Sequence, residues 1–145
     1  MKYLMLLFVF LSAQQKCNQT NELPFIKATS QSWSGGAAAM RGTYYNIYFA
    51  MPKSEEIKFD SLWVDNKRLA LAVMRESDLG DTLRLFVNDK TGLRNPIDGN
   101  EPDKPTQVGF PVESTAEALV GYFLNGKRIY FPVITFTRLK PLAYP

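Results

Sequence analysis

Apolar and polar residues alternate along several short stretches of this chain, and the last of them, residues 116–137, carries the strongest signal. Asn125 and Gly126 stand between two apolar runs. This dipeptide favours a type I′ hairpin turn, because both central residues of that turn need positive φ. A two-residue turn fixes which residues face each other. The predicted pairs are Leu124 with Lys127, Phe123 with Arg128, Tyr122 with Ile129, Val120 with Phe131 and Ala118 with Val133.

This register gives the hairpin two different faces. One face is apolar or aromatic throughout and is expected to lie in the core: Ala118, Val120, Tyr122, Ile129, Phe131 and Val133. The other face is mixed: Glu117, Leu119, Gly121, Phe123, Arg128, Tyr130 and Pro132. Proline has no N–H to donate, so the second strand is predicted to lie at a sheet edge or to carry a bulge. A shift of one residue after Pro132 would direct Ile134 and Phe136 inward.

Upstream of the hairpin, five further strands are predicted, at residues 23–33, 42–51, 57–64, 68–75 and 82–88. The stretch 57–64 changes phase between Phe59 and Leu62, and residues 65–67 form a turn. Phe86 is an exception on the otherwise polar face of its strand. In three of the strands the alternation places apolar residues on one face: Tyr45, Ile47, Phe49 and Met51, then Leu69, Leu71 and Val73, then Leu83, Leu85 and Val87.

About seven strands and no amphipathic helix predict an all-β fold, an antiparallel sandwich or barrel. The architecture resembles an immunoglobulin or fibronectin type III sandwich, although the Cys-Trp-Cys pattern of true immunoglobulin domains is missing. Such a resemblance implies an arrangement of strands and no particular function. One domain is expected over residues 23–140, followed by a tail at residues 141–145.

The N-terminus has the layout of a secretory signal peptide. Lys2 precedes an apolar run at residues 3–11, and Ser12 and Ala13 are small residues before a polar segment. The run is far shorter than the about 20 residues that span a bilayer, so no transmembrane segment is predicted. We expect a signal peptide at 1–13, a flexible leader at 14–22 and a secreted or periplasmic protein. Two alternatives are a buried N-terminal strand and a lipid anchor on Cys17.

Composition restricts the possible chemistry more than any motif does. The chain has no His and one Cys, which excludes the Ser-His-Asp and Cys-His catalytic systems in their usual forms and nearly all catalytic zinc sites. A single Cys allows no internal disulfide and no thiolate metal cluster. The net charge of +3 is small and scattered, whereas nucleic-acid binders concentrate Lys and Arg on one face. We therefore expect no enzyme activity, no cofactor and no nucleic-acid partner.

Two groups of acidic residues are weak candidates for other chemistry. Asp98, Asn100, Glu101 and Asp103 lie in the proline-rich segment 89–111 and supply the oxygen ligands that calcium prefers. Their spacing does not match an EF-hand loop, and ordinary turn formation explains the cluster equally well. Paired carboxylates can hydrolyse glycosides without histidine, but nothing in the sequence brings two of the visible acids together. Those acids are Glu55, Glu56, Glu113 and Glu117.

Three aromatic residues are the candidate ligand-binding positions. Tyr44 and Tyr48 share one strand face on either side of Asn46, and Trp33 precedes a glycine-rich segment. Aromatic rings with polar neighbours bind carbohydrates and also anchor protein interfaces; the alternative is that they cover neighbouring strands. The sequence favours an exported, non-enzymatic binding or structural module with a protein or carbohydrate ligand. The alternatives are a small carboxylate-dependent carbohydrate-active enzyme and an interaction domain that adds a strand to a partner through its Pro132 edge.

Overall fold

A computed structural model describes residues 23–36, 40–52, 56–76, 81–91 and 108–145. These residues form two antiparallel-rich β-sheets that do not close into a barrel, and no helix occurs among them. The predicted all-β class is confirmed. The predicted signal peptide, the leader, Cys17 and the metal candidates Asp98, Asn100, Glu101 and Asp103 lie outside the described residues.

The described part of the chain contains ten strands, where the sequence predicted about seven. The large sheet has the order β10-β1-β2-β6-β5, with β9 also paired to β1, and the small sheet has the order β4-β3-β7-β8. The strands are β1 (Phe25–Gly35), β2 (Met40–Phe49), β3 (Ile57–Val64), β4 (Lys67–Ala70), β5 (Ala72–Glu76), β6 (Thr82–Thr91), β7 (Ala118–Leu124), β8 (Lys127–Val133), β9 (Thr137–Arg138) and β10 (Leu142–Tyr144).

The hairpin β7–β8 has the predicted turn and the predicted register. Asn125 and Gly126 have φ values of 50° and 77°, as a type I′ turn requires, and all five predicted residue pairs are present. On the apolar face, Ala118, Val120, Tyr122 and Val133 are buried, while Ile129 and Phe131 pack against the core. The strand β8 that contains Pro132 lies at the edge of the small sheet, which confirms the expectation from its missing N–H.

The strand β3 contains a β-bulge where the sequence changes phase. Its pairing with β7 shifts between Phe59 and Ser61, so Asp60 is the extra residue, and the predicted change is confirmed. Bulges redirect side chains, and this one places Asp60 among basic residues described below. The following turn has φ values of 50° at Asp65 and 57° at Asn66, which makes β3–β4 a second type I′ hairpin.

In three places the strands differ from what the sequence indicates. The stretch 68–75 is not one strand, because β4 belongs to the small sheet and β5 to the large sheet; Leu69 and Val73, which were predicted to share one face, therefore lie in different sheets. After Pro132, Phe136 is buried whereas Ile134 is 68% exposed, so the two side chains do not share the inward position that a shift of one residue would give. Residues 141–145, expected as a tail, contain β10, which pairs in parallel with β1.

The two sheets enclose one apolar core. Its central residues from the large sheet are Ala28, Tyr45, Ile47, Phe49, Leu83, Leu85 and Val87, and from the small sheet Leu62, Val64, Ala118, Val120, Tyr122 and Val133. Toward one end of the sandwich, the inward-facing positions of β1 and β2 are polar instead of apolar. These residues are Ser30, Ser32, Ser34 and Thr43. The strands β1 and β2 therefore continue beyond the apolar core, and their outer face there carries the candidate site.

Candidate functional site

Four aromatic side chains form a continuous row across the outer face of the large sheet, called the aromatic row below. Each comes from a different strand, in the order β10, β1, β2 and β6. The distances between the centroids of successive rings are 6.4, 5.8 and 5.7 Å. The row consists of Tyr144, Trp33, Tyr44 and Phe86.

The ring of Trp33 lies flat against the neighbouring strand because residue 42 is glycine. A Cβ added at Gly42 would lie 2.8 Å from Cε2 and Nε1 of Trp33, and it would also meet the carbonyl oxygen of Asp89. The indole Nε1 donates a hydrogen bond to Oδ1 of Asn88 at 3.1 Å, which fixes the orientation of the ring. The ring of Tyr44 is inclined by only 22° to the indole. The indole thus lies against the backbone of β2, and the side chain remains partly exposed.

The hydroxyl groups of the row also influence one another. The neighbouring side chain of Tyr144 raises the pKa of Tyr44 above its ordinary value. Tyr144 approaches β1 closely because residue 35 is glycine: a Cβ at Gly35 would lie 2.6 Å from the Cβ of Tyr144. The position of Trp33 is thus set by the backbone at Gly42 and by its hydrogen bond to Asn88, and that of Tyr144 by the backbone at Gly35.

The structure brings together two of the three predicted ligand-binding residues. Trp33 and Tyr44 are adjacent in the row, whereas Tyr48 contacts none of the other described aromatic rings and has Nζ of Lys27 4.9 Å from its ring centroid. Sequence reasoning did not include Phe86 and Tyr144. The position of Phe86 on a polar strand face was a usable signal; Tyr144 could not be found, because its placement depends on the parallel pairing of β10 with β1.

Basic side chains flank the row on the outer face. Lys27 and Lys90 are exposed and lie opposite Tyr48 and Gly42 in the strand register. The guanidinium carbon of Arg84 lies 5.9 Å from the ring centroid of Phe86. Asp89, between these strand positions, faces the interior and accepts a hydrogen bond from Nζ of Lys67 at 2.8 Å. Among the described side chains on this outer face of β1, β2 and β6, there is no carboxylate.

The outer face of the small sheet holds a second tryptophan in a closed environment, called the Trp63 cage. Trp63 lies over Gly121, where an added Cβ would be 2.5 Å from Cζ3 of the indole. The guanidinium carbons of Arg68 and Arg128 lie 5.1 and 5.3 Å from the indole centroid. Both arginines donate to Oδ2 of Asp60, at 3.2 and 2.6 Å.

The electrostatics of the Trp63 cage follow from the position of Asp60 in the β-bulge. Burial opposes ionisation of this carboxyl group, but the hydrogen bonds from Arg128, Ser61 and Arg68 outweigh it, so the pKa of Asp60 is lowered. Asp60 therefore stays ionised and holds both guanidinium groups, and the three side chains together keep one positive charge. The cage closes over Trp63, which is 4% exposed.

A groove of about 560 Å³ lies at the open end of the sandwich and contains two carboxylates, Asp65 and Glu117. Asp65 accepts a hydrogen bond from the hydroxyl of Tyr45 at 2.9 Å; burial, followed by this bond, raises the pKa of Tyr45. Glu117 accepts hydrogen bonds from the backbone N–H of Phe136 at 2.9 Å and from Thr135. The bond from Phe136 is the main cause that lowers the pKa of Glu117.

Of the other acids considered in the sequence, Glu113 is exposed and does not line this groove, and Glu55 lies outside the described residues. Within the described ranges, no group of three or more Asp, Glu, His or Cys side chains is arranged to hold a metal ion. Nor do these ranges include a helix with the length and apolar character needed to cross a membrane.

Comparison with protein-family models, with curated proteins and with solved structures gives no match for this chain.

Proposed function

We propose that this protein is an exported, non-enzymatic binding module with an immunoglobulin- or fibronectin-III-like sandwich, and that the aromatic row is its ligand-contact surface. The observation that carries the proposal is the placement of Trp33: its ring lies on Gly42, is held by Asn88 and stands beside Tyr44 on a partly exposed sheet face. Export is supported by the signal-peptide pattern of residues 1–13. A secreted or periplasmic location follows from it, with lipid anchoring through Cys17 as the alternative.

The physical basis of binding is the apolar area that the row keeps in contact with water. Covering apolar surface contributes about 25 cal/mol per Å², and aromatic stacking adds roughly 0.5–1.5 kcal/mol for each pair of rings. Because Gly42 and the hydrogen bond to Asn88 already fix the indole of Trp33, little of this free energy is spent on ordering the side chain. A ligand with a flat apolar face therefore gains most from this surface.

The alternative of a carboxylate-dependent enzyme finds less support in the groove at the end of the sandwich. A glycosidase needs one carboxylic acid with a raised pKa to protonate the leaving group. The pKa of Glu117 is lowered, and Asp65 already accepts a hydrogen bond from the hydroxyl of Tyr45. The alternative of strand addition at the edge strand β8 is disfavoured by Pro132, which cannot donate to a new ladder.

Affinity electrophoresis through gels that contain neutral or acidic polysaccharides tests the proposal. The wild-type protein should be retarded by at least one of them, and Trp33→Ala should remove the retardation. Tyr130→Ala is the matched control, because it deletes an aromatic ring from the outer face of the small sheet and should leave retardation unchanged. Retardation that persists in Trp33→Ala, or its absence with every polysaccharide, would contradict the proposed surface.

A further inference from the structure

We infer that the ligand of the aromatic row is a linear, uronate-containing polysaccharide. Its sugar rings stack on Trp33 and Tyr44, and its carboxylates lie beside Lys27 and Lys90. This inference rests on the proposed function and names the ligand class of the same surface. Three properties of the outer face carry it: the charge, the hydrogen-bonding groups beside the rings, and the width of the row.

Two lysines on the outer face of the large sheet have no carboxylate partner among the described residues. Lys27 lies opposite Tyr48 in the strand register. Lys90 lies opposite Gly42, the residue against which the indole of Trp33 packs. Neither lysine has a carboxylate partner among the described residues, since the ion pairs found there join other residues: Lys67 to Asp89, Arg68 and Arg128 to Asp60, and Arg138 to Glu117. In the strand register the row runs diagonally between the two lysines: Lys90 is level with Trp33 on one side, and Lys27 is level with Tyr48 on the other. An anionic chain along the row therefore has one lysine on each side.

The groups beside the rings both donate and accept hydrogen bonds. Amides are present at Gln31, Asn46 and Asn88, and hydroxyls at Tyr44 and Tyr144. Sugar hydroxyls donate and accept as well, while the C–H faces of a pyranose ring are apolar and flat. A saccharide therefore matches the alternation of rings and polar groups on this face.

The width of the row distinguishes a polysaccharide from larger partners. A stable protein partner covers about 800 Å² on each side and has an apolar centre, whereas this row is one ring wide and has polar residues on both sides. Single-stranded nucleic acid also stacks on aromatic rings. Its affinity, however, comes largely from many phosphate contacts, and Lys27 and Lys90 offer few. A thin chain with moderate charge density fits these constraints.

Isothermal titration calorimetry with polygalacturonate and its methyl ester tests the inference, because the two polymers share a backbone and differ in charge. Polygalacturonate should bind more tightly, and added salt should weaken its binding, since exposed charges are screened. Poly-L-glutamate, which has charge without sugar rings, and oligo-dT, which has charge with bases, should bind weakly or not at all. Tighter binding of either one than of polygalacturonate would overturn the inference.

Variants separate failure of this inference from failure of the proposed function. Lys27→Gln and Lys90→Gln should each weaken polygalacturonate binding by roughly 1.5- to 5-fold, as expected for exposed ion pairs. Lys127→Gln, at the exposed hairpin turn of the small sheet, is the control and should have no effect. Equal affinity for polygalacturonate and its methyl ester, with both lost in Trp33→Ala, would overturn the uronate inference and support the aromatic row. Binding that survives Trp33→Ala would overturn both.

Discussion

Each sheet has a tryptophan that lies over a glycine of the neighbouring strand, but the two rings end in different surroundings. Trp63 lies over Gly121 and is covered by two arginines. Trp33 lies over Gly42, with other aromatic rings beside it, and remains partly exposed. A tryptophan ring packed against a glycine is thus part of a closed cluster in the small sheet, whereas in the large sheet it is part of an open surface.

The difference arises from a single carboxylate. In the small sheet the β-bulge at Asp60 places an acid where it binds Arg68 and Arg128 and holds them near Trp63. The outer face of the large sheet has lysines but no described carboxylate to hold them over Trp33. A partly exposed ring and lysines without a carboxylate partner among the described residues therefore remain there, whereas in the Trp63 cage the ring and the arginines cover one another.

Removing the two tryptophans separately gives the largest expected effects. Trp63→Ala should lower the free energy of unfolding by about 3–5 kcal/mol, as for other buried large aromatic residues. Trp33→Ala should cost less, roughly 1–2 kcal/mol, because part of its ring is already in water and the hydrophobic contribution scales with buried area. Urea denaturation followed by circular dichroism measures both. Equal losses would mean that Trp33 is as structural as Trp63.

The glycine beneath Trp63 should be nearly as sensitive. Gly121→Ala would place a Cβ 2.5 Å from Cζ3 of an indole confined by two arginines, and overpacking of this kind costs about 1–3 kcal/mol. Gly109→Ala is the control, because a Cβ there meets no atom within 4 Å. Thermal melts of the two variants should therefore differ clearly. A Gly121→Ala protein as stable as Gly109→Ala would show that the Trp63 cage is loosely packed.

The ion pairs of the Trp63 cage should produce a dependence of stability on pH. Asp60→Asn is expected to cost about 1–2 kcal/mol at pH 7, the lower part of the range for charged hydrogen bonds because the group is partly screened by solvent. The folded-state pKa of Asp60 is lowered. Its contribution is therefore complete above the ordinary carboxyl pKa of about 4 and is lost as pH falls through the lowered value.

Denaturation of wild type and Asp60→Asn between neutral and acidic pH measures this contribution. The difference in unfolding free energy between the two proteins should be constant near neutrality and should shrink below about pH 4. Because the comparison uses the difference, titration of Glu117 contributes equally to both proteins. A difference that stays constant down to the most acidic pH at which both proteins remain folded would contradict the role given to Asp60.

The smallest expected effect concerns the hydroxyl pair of the aromatic row. Tyr144→Phe removes the hydroxyl that raises the pKa of Tyr44, so Tyr44 should titrate at a lower pH in the variant. NMR titration with ring-labelled tyrosine, assigned with Tyr44→Phe, follows the pKa. An unchanged titration of Tyr44 would show that the side chain of Tyr144 does not affect it in solution.

Local sequence signals predicted those parts of the fold that depend on neighbouring residues. Asn125 and Gly126 determine the hairpin turn and, through it, every residue pair of β7 and β8. The change of phase after Phe59 marked the bulge in β3. In both cases the turn-forming residues or the pattern of apolar and polar residues lie within one short stretch of chain. No contact with a distant residue has to be known.

The remaining features depend on contacts between distant residues. The stretch 68–75 alternates like a single strand, and only packing of the two sheets makes the chain change sheets at Leu71. Asp60 meets Arg128 across 68 positions of sequence. The aromatic row likewise joins four strands, so Trp33 and Tyr44 were recognisable as candidates from the sequence while their contact with Phe86 and Tyr144 was not.

Tryptophan fluorescence during titration with polygalacturonate tests most directly whether the aromatic row is the ligand surface. The chain has two tryptophans, so Trp33→Phe leaves Trp63 as the only emitting indole. Wild type should show a saturable change in emission, and Trp33→Phe should show none, because the Trp63 cage lies on the opposite sheet. An unchanged wild-type emission, or the same change in Trp33→Phe, would contradict the assignment of ligand binding to the large sheet.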